Sequence, residues 1–248
     1  MREYLNKVRK YYNNAVFLKD SLNNILNLIE EQYQLKPSQV VMVDSICNND
    51  VNLIHYPPKA YEMIGPFHLG GLDGFPFLGL TGMKKVDNHV SEEGAVLIFY
   101  APHIGVSKDG TTGGIKRTHQ HDYSSCCGGL EIALRNLSSN MIKSGEVSSL
   151  DYQFNILEQI LFCEKERIDA AADKFVEATE VVYEAIERQI DLLISKSEYH
   201  CKHLFLVGGI YINGDRGACS FHAVRRIEHL DVTTNQKTDL TRYITFND

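Results

Sequence analysis

The chain is expected to fold as an α/β protein with a mainly parallel central sheet flanked by helices. Three observations predict this. Short β-branched apolar runs, Val40-Val41-Met42-Val43, Ala95–Tyr100 (AVLIFY) and residues 204–212 (LFLVGGIYI), read as strands buried on both faces. Helical periodicity occupies the stretches between them, the alternation that builds a parallel sheet with helices on both sides. No repeat, linker or low-complexity segment divides the 248 residues, so one domain over 1–248 is expected.

Residues 2–35 read as helical, with Leu22, Ile25, Leu26, Ile29 and Tyr33 at helical spacing and Asp20 or Ser21 as a starting cap; Pro37 closes these N-terminal helices by residue 36. The first strand then delivers the chain to Cys47-Asn48-Asn49-Asp50. Residues 64–82 are rich in Gly, Pro and Phe and read as neither helix nor strand; a segment of that length fits the lining of a site. The AVLIFY strand ends at Ala101-Pro102-His103, a hairpin-like Lys108-Asp109-Gly110 leads to Arg117, and Ser124-Ser125-Cys126-Cys127-Gly128-Gly129 opens a helix through Leu130, Ala133, Leu134 and Leu137. An apolar stripe from Phe154 to Leu193 marks a long helical segment over 151–197, expected as two helices broken between Asp169 and Asp173. Residues 204–212 and 218–224 complete the strands.

Bulk composition narrows the function. A net charge of −7 with scattered Lys and Arg offers no basic face for nucleic acid, and no apolar stretch is long enough to span a membrane. The N-terminal segment carries no hydrophobic signal core, so a cytoplasmic protein with reduced cysteines is expected. Cys163, Cys201 and Cys219 read as buried thiols acting as small hydrophobes. The Gly70-Gly71 and Gly208-Gly209 pairs lack the Lys and Ser/Thr of a phosphate loop, which excludes nucleotide binding on that pattern.

Cys47, His103 and Cys127 each stand just past a strand or at a helix start. Two thiolates and an imidazole form a three-ligand zinc set that leaves the fourth tetrahedral position open, and a helix N-terminus favours a thiolate at Cys127. Their spacing matches none of the short zinc patterns, so spacing alone favours three unrelated buried residues. A third reading makes Cys127 a nucleophile with His103 or His119 as base.

The block Gly74-Phe75-Pro76-Phe77…Gly82, His89, AVLIFYAPHIGV, Arg117…SSCCGG and Gly208-Gly209-Ile210-Tyr211-Ile212-Asn213 resembles the limiting-CO2-inducible protein B/C family. Those proteins are the β-like, theta-type carbonic anhydrases. Cys47-Asn48-Asn49-Asp50-Val51-Asn52 resembles the family's Cys-Pro-Asp-Glu-(Ile/Val)-Asn motif. The resemblance implies a β-carbonic-anhydrase-like fold with Zn2+ held by Cys47, His103 and Cys127, Cys126 being the alternative third ligand. It implies interconversion of CO2 and bicarbonate in a homodimer. A zinc-binding member with little or no hydration activity, acting through assembly or partner binding, is the other kind the family contains.

The resemblance also implies a carboxylate two residues after the first Cys, paired with Arg117. That position is Asn49 here, and Asp50 is the neighbouring substitute; His119 stands where the family commonly has Gly. CO2 is apolar, so Phe75, Phe77 and Leu80 are expected as pocket walls, with His89 and, less strongly, His68 as proton relays. Two anionic sulfurs on the metal predict activity that rises at alkaline pH.

Overall fold

The computed structural model describes residues 1–52, 56–217 and 219–243. Its centre is built from the three apolar runs. Strand β1 (Ala15–Phe17) precedes helix α2 (Leu18–Tyr33), itself preceded by α1 (Arg2–Val8); then come β2 (Val40–Ser45), β3 (Ile64–His68), α3 (Gly79–Asp87), β4 (Ala95–Tyr100) and β5 (His103–Gly105). A small β6–β7 ribbon (Gly114–Ile115, Ser124–Ser125) leads to α4 (Gly128–Ser138), α5 (Tyr152–Cys163), α6 (Lys165–Ala170) and α7 (Lys174–Lys196). Strands β8 (His203–Asn213), β9 (Ser220–Asp231) and β10 (Gln236–Asp239) end the described chain, apart from a short turn.

The sheet order is β1-β9-β8-β4-β2-β3, with β10 on β9 and β5 on β8. From β3 to β8 all pairs are parallel, and β9 turns the sheet antiparallel against β8, β1 and β10. The parallel core flanked by helices is the expected architecture; the antiparallel flank built on β9 is an addition the sequence did not announce. The alternation of side chains across the pleat explains why these runs carry no polar face. Val96, Ile98 and Tyr100 of β4 pack toward α4, α5 and α7, whereas Ala95, Leu97 and Phe99 pack toward α2. Helix α2 supplies Leu22, Ile25, Leu26 and Ile29 to that second face, at the expected spacing. No described helix is long and apolar enough to cross a membrane.

Several expectations need correction. Residues 2–35 are not continuously helical: the chain turns after α1 and forms β1, because Ala15-Val16-Phe17 finds an edge to pair with on β9. Helix α2 starts from Phe17 with no side-chain cap; Asp20 sits in its first turn, and Ser21 bonds to His222 at 2.9 Å instead. Residues 64–82 are not irregular throughout, since β3 pairs with β2 and α3 begins at Gly79. Tertiary pairing overrides the weak local propensity of both segments. The long helical region breaks at residues 171–173, where Asp173 caps α7 by accepting from the Phe175 and Val176 amides, and breaks again at Glu164. The strand expected over 218–224 is β9; position 218 lies outside the described residues. Cys201 is buried, but Cys163 ends α5 exposed and Cys219 is only partly covered.

One core residue carries a pH signature. His222 of β9 is fully buried between β8 and α2, and burial, followed by the charge of Arg225, lowers its pKa from the ordinary 6.5 to about 3. It stays neutral in the fold and takes a proton in the unfolded chain below 6.5, so its contribution to stability declines as pH falls through that value. At pH 5 this one group should cost about 2 kcal/mol relative to pH 7. Urea unfolding at the two pH values should show that loss, and a His222→Leu variant should lack this part of the slope; an equal slope in both proteins would refute the assignment.

Candidate metal centre

Strand β2 runs buried to Ser45 and hands the chain to Cys47. The parallel β4 ends alongside it, and after Ala101-Pro102 the chain resumes as β5 with His103 paired to Tyr211 of β8. Cys127 is the residue from which α4 springs. Three sequence-distant segments therefore meet at the carboxyl ends of parallel strands, where open α/β sheets place their ligand sites. The ligand atoms of Cys47, His103 and Cys127 all lie within 4.8 Å of one another, and all three residues are buried. Among the described residues this is the one cluster of its kind.

The imidazole is oriented from behind. Asn213, the last residue of β8, uses its Nδ2 to donate to the Val51 carbonyl at 2.9 Å and to Asn52 Oδ1 at 3.1 Å. Its Oδ1 must then face His103 Nδ1, 2.9 Å away, and an oxygen there can only accept. The proton is therefore on Nδ1, and Nε2 is left buried with no protein partner. Cys126 Sγ lies 3.3 Å from Asn213 Oδ1 and 3.6 Å from Nδ1, against the outer nitrogen, while Cys127 joins the converging set. The sequence pattern contained Asn213 in its last motif but assigned it no role; the support it lends His103 depends on a strand pairing that spacing does not reveal.

The electrostatics suit a soft divalent cation. Cys47 is held well below the ordinary thiol range, first by the hydrogen bond from Cys127 and then, against the cost of burial, by His103. The same shared hydrogen bond, with burial, pushes Cys127 up. Burial works to lower the His103 pKa, but the cysteine sulfurs around it, Cys126 first, raise it overall. Sulfur, sulfur and imidazole nitrogen held this close are a donor set suited to zinc, and ligation would release the protons these groups share.

A carboxylate absent from the sequence reading completes the surroundings. Asp73 is fully buried; its Oδ1 accepts from the His103 backbone N–H at 3.3 Å, and its Oδ2 has no partner. Burial lifts its pKa to about 7, opposed by His103 and supported by Cys47. It sits at φ +51°, a left-handed conformation uncommon outside glycine, in a turn pressed against Ala101: a Cβ on Gly74 would meet the Ala101 carbonyl at 2.3 Å. One signal pointed to it, since Asp73 is the sole acidic residue between Glu62 and Asp87 in an otherwise apolar, Gly-rich stretch.

Arg117 reaches the same neighbourhood. Its guanidinium grips Asp50 with two bonds, Nε to Oδ2 at 2.8 Å and Nη2 to Oδ1 at 3.0 Å, and also bonds Ser124 Oγ and the Ser125 carbonyl. Nη2 lies 3.4 Å from Asn49 Oδ1, and Asn49 Nδ2 donates to the Cys126 carbonyl at 2.8 Å. Neighbouring residues on an extended segment would diverge, but Asp50–Asn52 forms a 3-10 turn, which brings both side chains to the arginine. Asp50 occupies the solvent side and is held below its usual carboxylate range by Arg117.

Of the other expected site residues, Phe75 packs against the apolar cluster that contains Cys47 and Cys127. His89 is exposed just after α3, its ring 5.1 Å from that of Phe67, and His68 bonds the buried Asp44. Phe75 and Phe77 are partly buried with rings 4.9 Å apart, and Leu80 is 42% exposed. A cleft of about 410 Å3 opens against Asp50, Arg117, Tyr211 and Asn213, and Phe75, Phe77 and Leu80 are not in its lining. His119 is exposed in the loop between β6 and β7, at φ +68°.

A comparison with curated protein sequences gave no match. Among solved structures the chain is similar to PtLCIB4, a homolog of the limiting CO2-inducible protein LCIB: 24% identity, 95% of this chain and 98% of that one covered, and a TM-score of 0.82. It is also similar to LCIB itself, at 19% identity over 93% of this chain and 95% of that one, with a TM-score of 0.71. Both likenesses establish the fold. The family model for limiting CO2-inducible proteins B/C beta carbonic anhydrases matches residues 16–231, nearly the whole sheet and its helices, and the chain belongs to that family.

Proposed function

We propose that this chain is a zinc-dependent carbonic anhydrase interconverting CO2 and bicarbonate, with zinc on Cys47, His103 and Cys127. The observation that carries the reading is the convergence of two buried sulfurs on an imidazole nitrogen that no protein group satisfies. Zinc in such a setting supplies hydroxide from water near neutral pH. The protein's part is to hold the donors. Cys47 and Cys127 provide anionic sulfur, Asn213 fixes the His103 tautomer, and Arg117 ties the Asp50 turn to the strand leading into Cys126 and Cys127.

The second reading, a zinc-binding member with little hydration activity, is favoured by Asn49. An amide cannot serve as a charged acceptor, and its Nδ2 is already committed to the Cys126 carbonyl. In either reading we propose a homodimer. Strand β3 is one edge of the sheet, and Tyr61, Ile64, Leu78 and Leu80 are large apolar side chains exposed on or near it, a combination suited to covering by a second copy.

Stopped-flow CO2 hydration with zinc quantification on one purified sample tests the reading, and sedimentation of that sample tests the dimer. About one zinc per chain with hydration above the uncatalysed rate supports it; zinc-replete protein without hydration supports the second reading. Arg117→Ala is expected to lower hydration by about tenfold or more while zinc content stays at wild-type level, the usual consequence of removing an outer support.

A further inference from the structure

A second pair of nitrogen donors stands at the other end of the sheet from Cys47, His103 and Cys127. Strand β8 runs 11 residues from His203 to Asn213. At about 3.3 Å per residue its two ends are roughly 30 Å apart. At the first end, His203 Nδ1 faces His229 Nε2 at 2.9 Å. The register sets His203 opposite Asp231 and Phe205 opposite His229, so all four side chains share one face of β8 and β9. Tyr33, the last residue of α2, packs on both imidazoles, its ring centroid 5.7 Å from that of His203 and 4.4 Å from that of His229. His229 is buried and His203 half-buried, so the facing nitrogens are held by packing on several sides.

Between facing imidazoles one nitrogen carries the proton and the other a lone pair. Moving that proton to the other nitrogen of its own ring, with no change in charge, leaves both facing atoms free to donate to a cation. Two neighbouring ligands at right angles, each with a metal–nitrogen bond of about 2.0–2.1 Å, stand about 2.9 Å apart, whereas a tetrahedral pair stands about 3.3 Å apart. The observed separation is therefore the bite of a tetragonal ion. The surroundings favour positive charge. Asp231 lies directly across from His203, its Oδ1 accepting from the Thr234 amide at 2.9 Å. The carboxyl end of α2 carries partial negative charge and has no basic residue in its last turn. Lys202 points to the opposite face of β8 and pairs with Glu93 at 3.8 Å. We propose that His203 and His229 form a binding site for a tetragonal divalent cation of the nickel(II) or copper(II) kind, with Asp231 beside them supplying negative charge. The site is separate from the cysteine–histidine centre and does not depend on what that centre holds.

Nickel(II) is the probe for the test, because copper(II) oxidises free thiols. Protein first saturated with zinc and freed of the excess is dialysed against Ni2+, and bound nickel is counted in wild type, His203→Gln, His229→Gln and Cys47→Ser. Wild type should bind about one nickel per chain. Removing an outer support of a ligand already costs about 10- to 100-fold, so each glutamine variant, which loses a ligand, should bind nickel at least about tenfold more weakly. Cys47→Ser should keep the wild-type nickel affinity. Unchanged affinity in both glutamine variants overturns the proposal, and so does a wild type that takes up no nickel at millimolar concentration. Nickel binding lost in Cys47→Ser but kept in the glutamine variants overturns it too, by moving the ion to the cysteine–histidine centre. Where a glutamine variant does not fold, the histidine ring-proton resonances of the wild type decide. Those of His203 and His229 should broaden first as paramagnetic Ni2+ is added, and broadening confined to other histidines overturns the assignment.

Discussion

Cys47→Ser is expected to purify without zinc and without CO2 hydration, while its far-ultraviolet circular dichroism stays that of the wild type. A serine hydroxyl remains protonated at neutral pH and is a hard donor, so the substitution removes one of three protein ligands outright. Zinc sites of this kind hold their ion with roughly ten kcal/mol or more, and losing one of three donors should remove on the order of 4 kcal/mol, about a thousandfold in affinity. The fold should persist, because Cys47 lies beyond the end of β2 and the apolar runs that build the sheet are untouched. Competition with a chromophoric chelator measures the change; a variant that keeps zinc at wild-type affinity would remove Cys47 from the ligand set.

The second large effect is expected at Asn213, which touches no metal. Asn213→Ala deprives the His103 Nδ1–H of its acceptor and leaves the Val51 carbonyl and Asn52 Oδ1 without their donor. The ring then loses what fixes both its tautomer and its angle. Zinc affinity should fall about 10- to 100-fold, and the metal-free protein should lose about 2–4 kcal/mol in urea unfolding from buried groups left unpaired. Unchanged zinc affinity with reduced stability would confine Asn213 to a structural part. The affinity loss, not the stability loss, is the discriminating readout.

Much of the fold was legible because a strand covered on both faces has one chemical requirement, apolar side chains at every position, and three segments meet it plainly. Strands β1 and β3 were not legible. Each is a short edge segment whose conformation comes from a partner far away in sequence, and Gly65 and Pro66 argue locally against β3. At the site, the three converging residues were legible through their residue types and their place at strand and helix ends within family-like motifs; their spacing alone did not mark them. Asp73 and Asn213 act through positions in space: one depends on a left-handed turn, the other on the pairing of β5 with β8. Likewise only the 3-10 turn after Cys47 explains why Asp50 and Asn49 both face Arg117.

The three converging side chains belong to the end of one strand, the start of another and the foot of a helix on one layer of the sheet. An ion held among them is a cross-link as well as a reagent: it staples the α4 layer to the sheet at a rim where the backbone makes only short ladders. Ion occupancy then adds to folding stability through mass action, in proportion to the logarithm of free ion over its dissociation constant. Chelation should therefore loosen the rim before it disturbs the interior of the sheet.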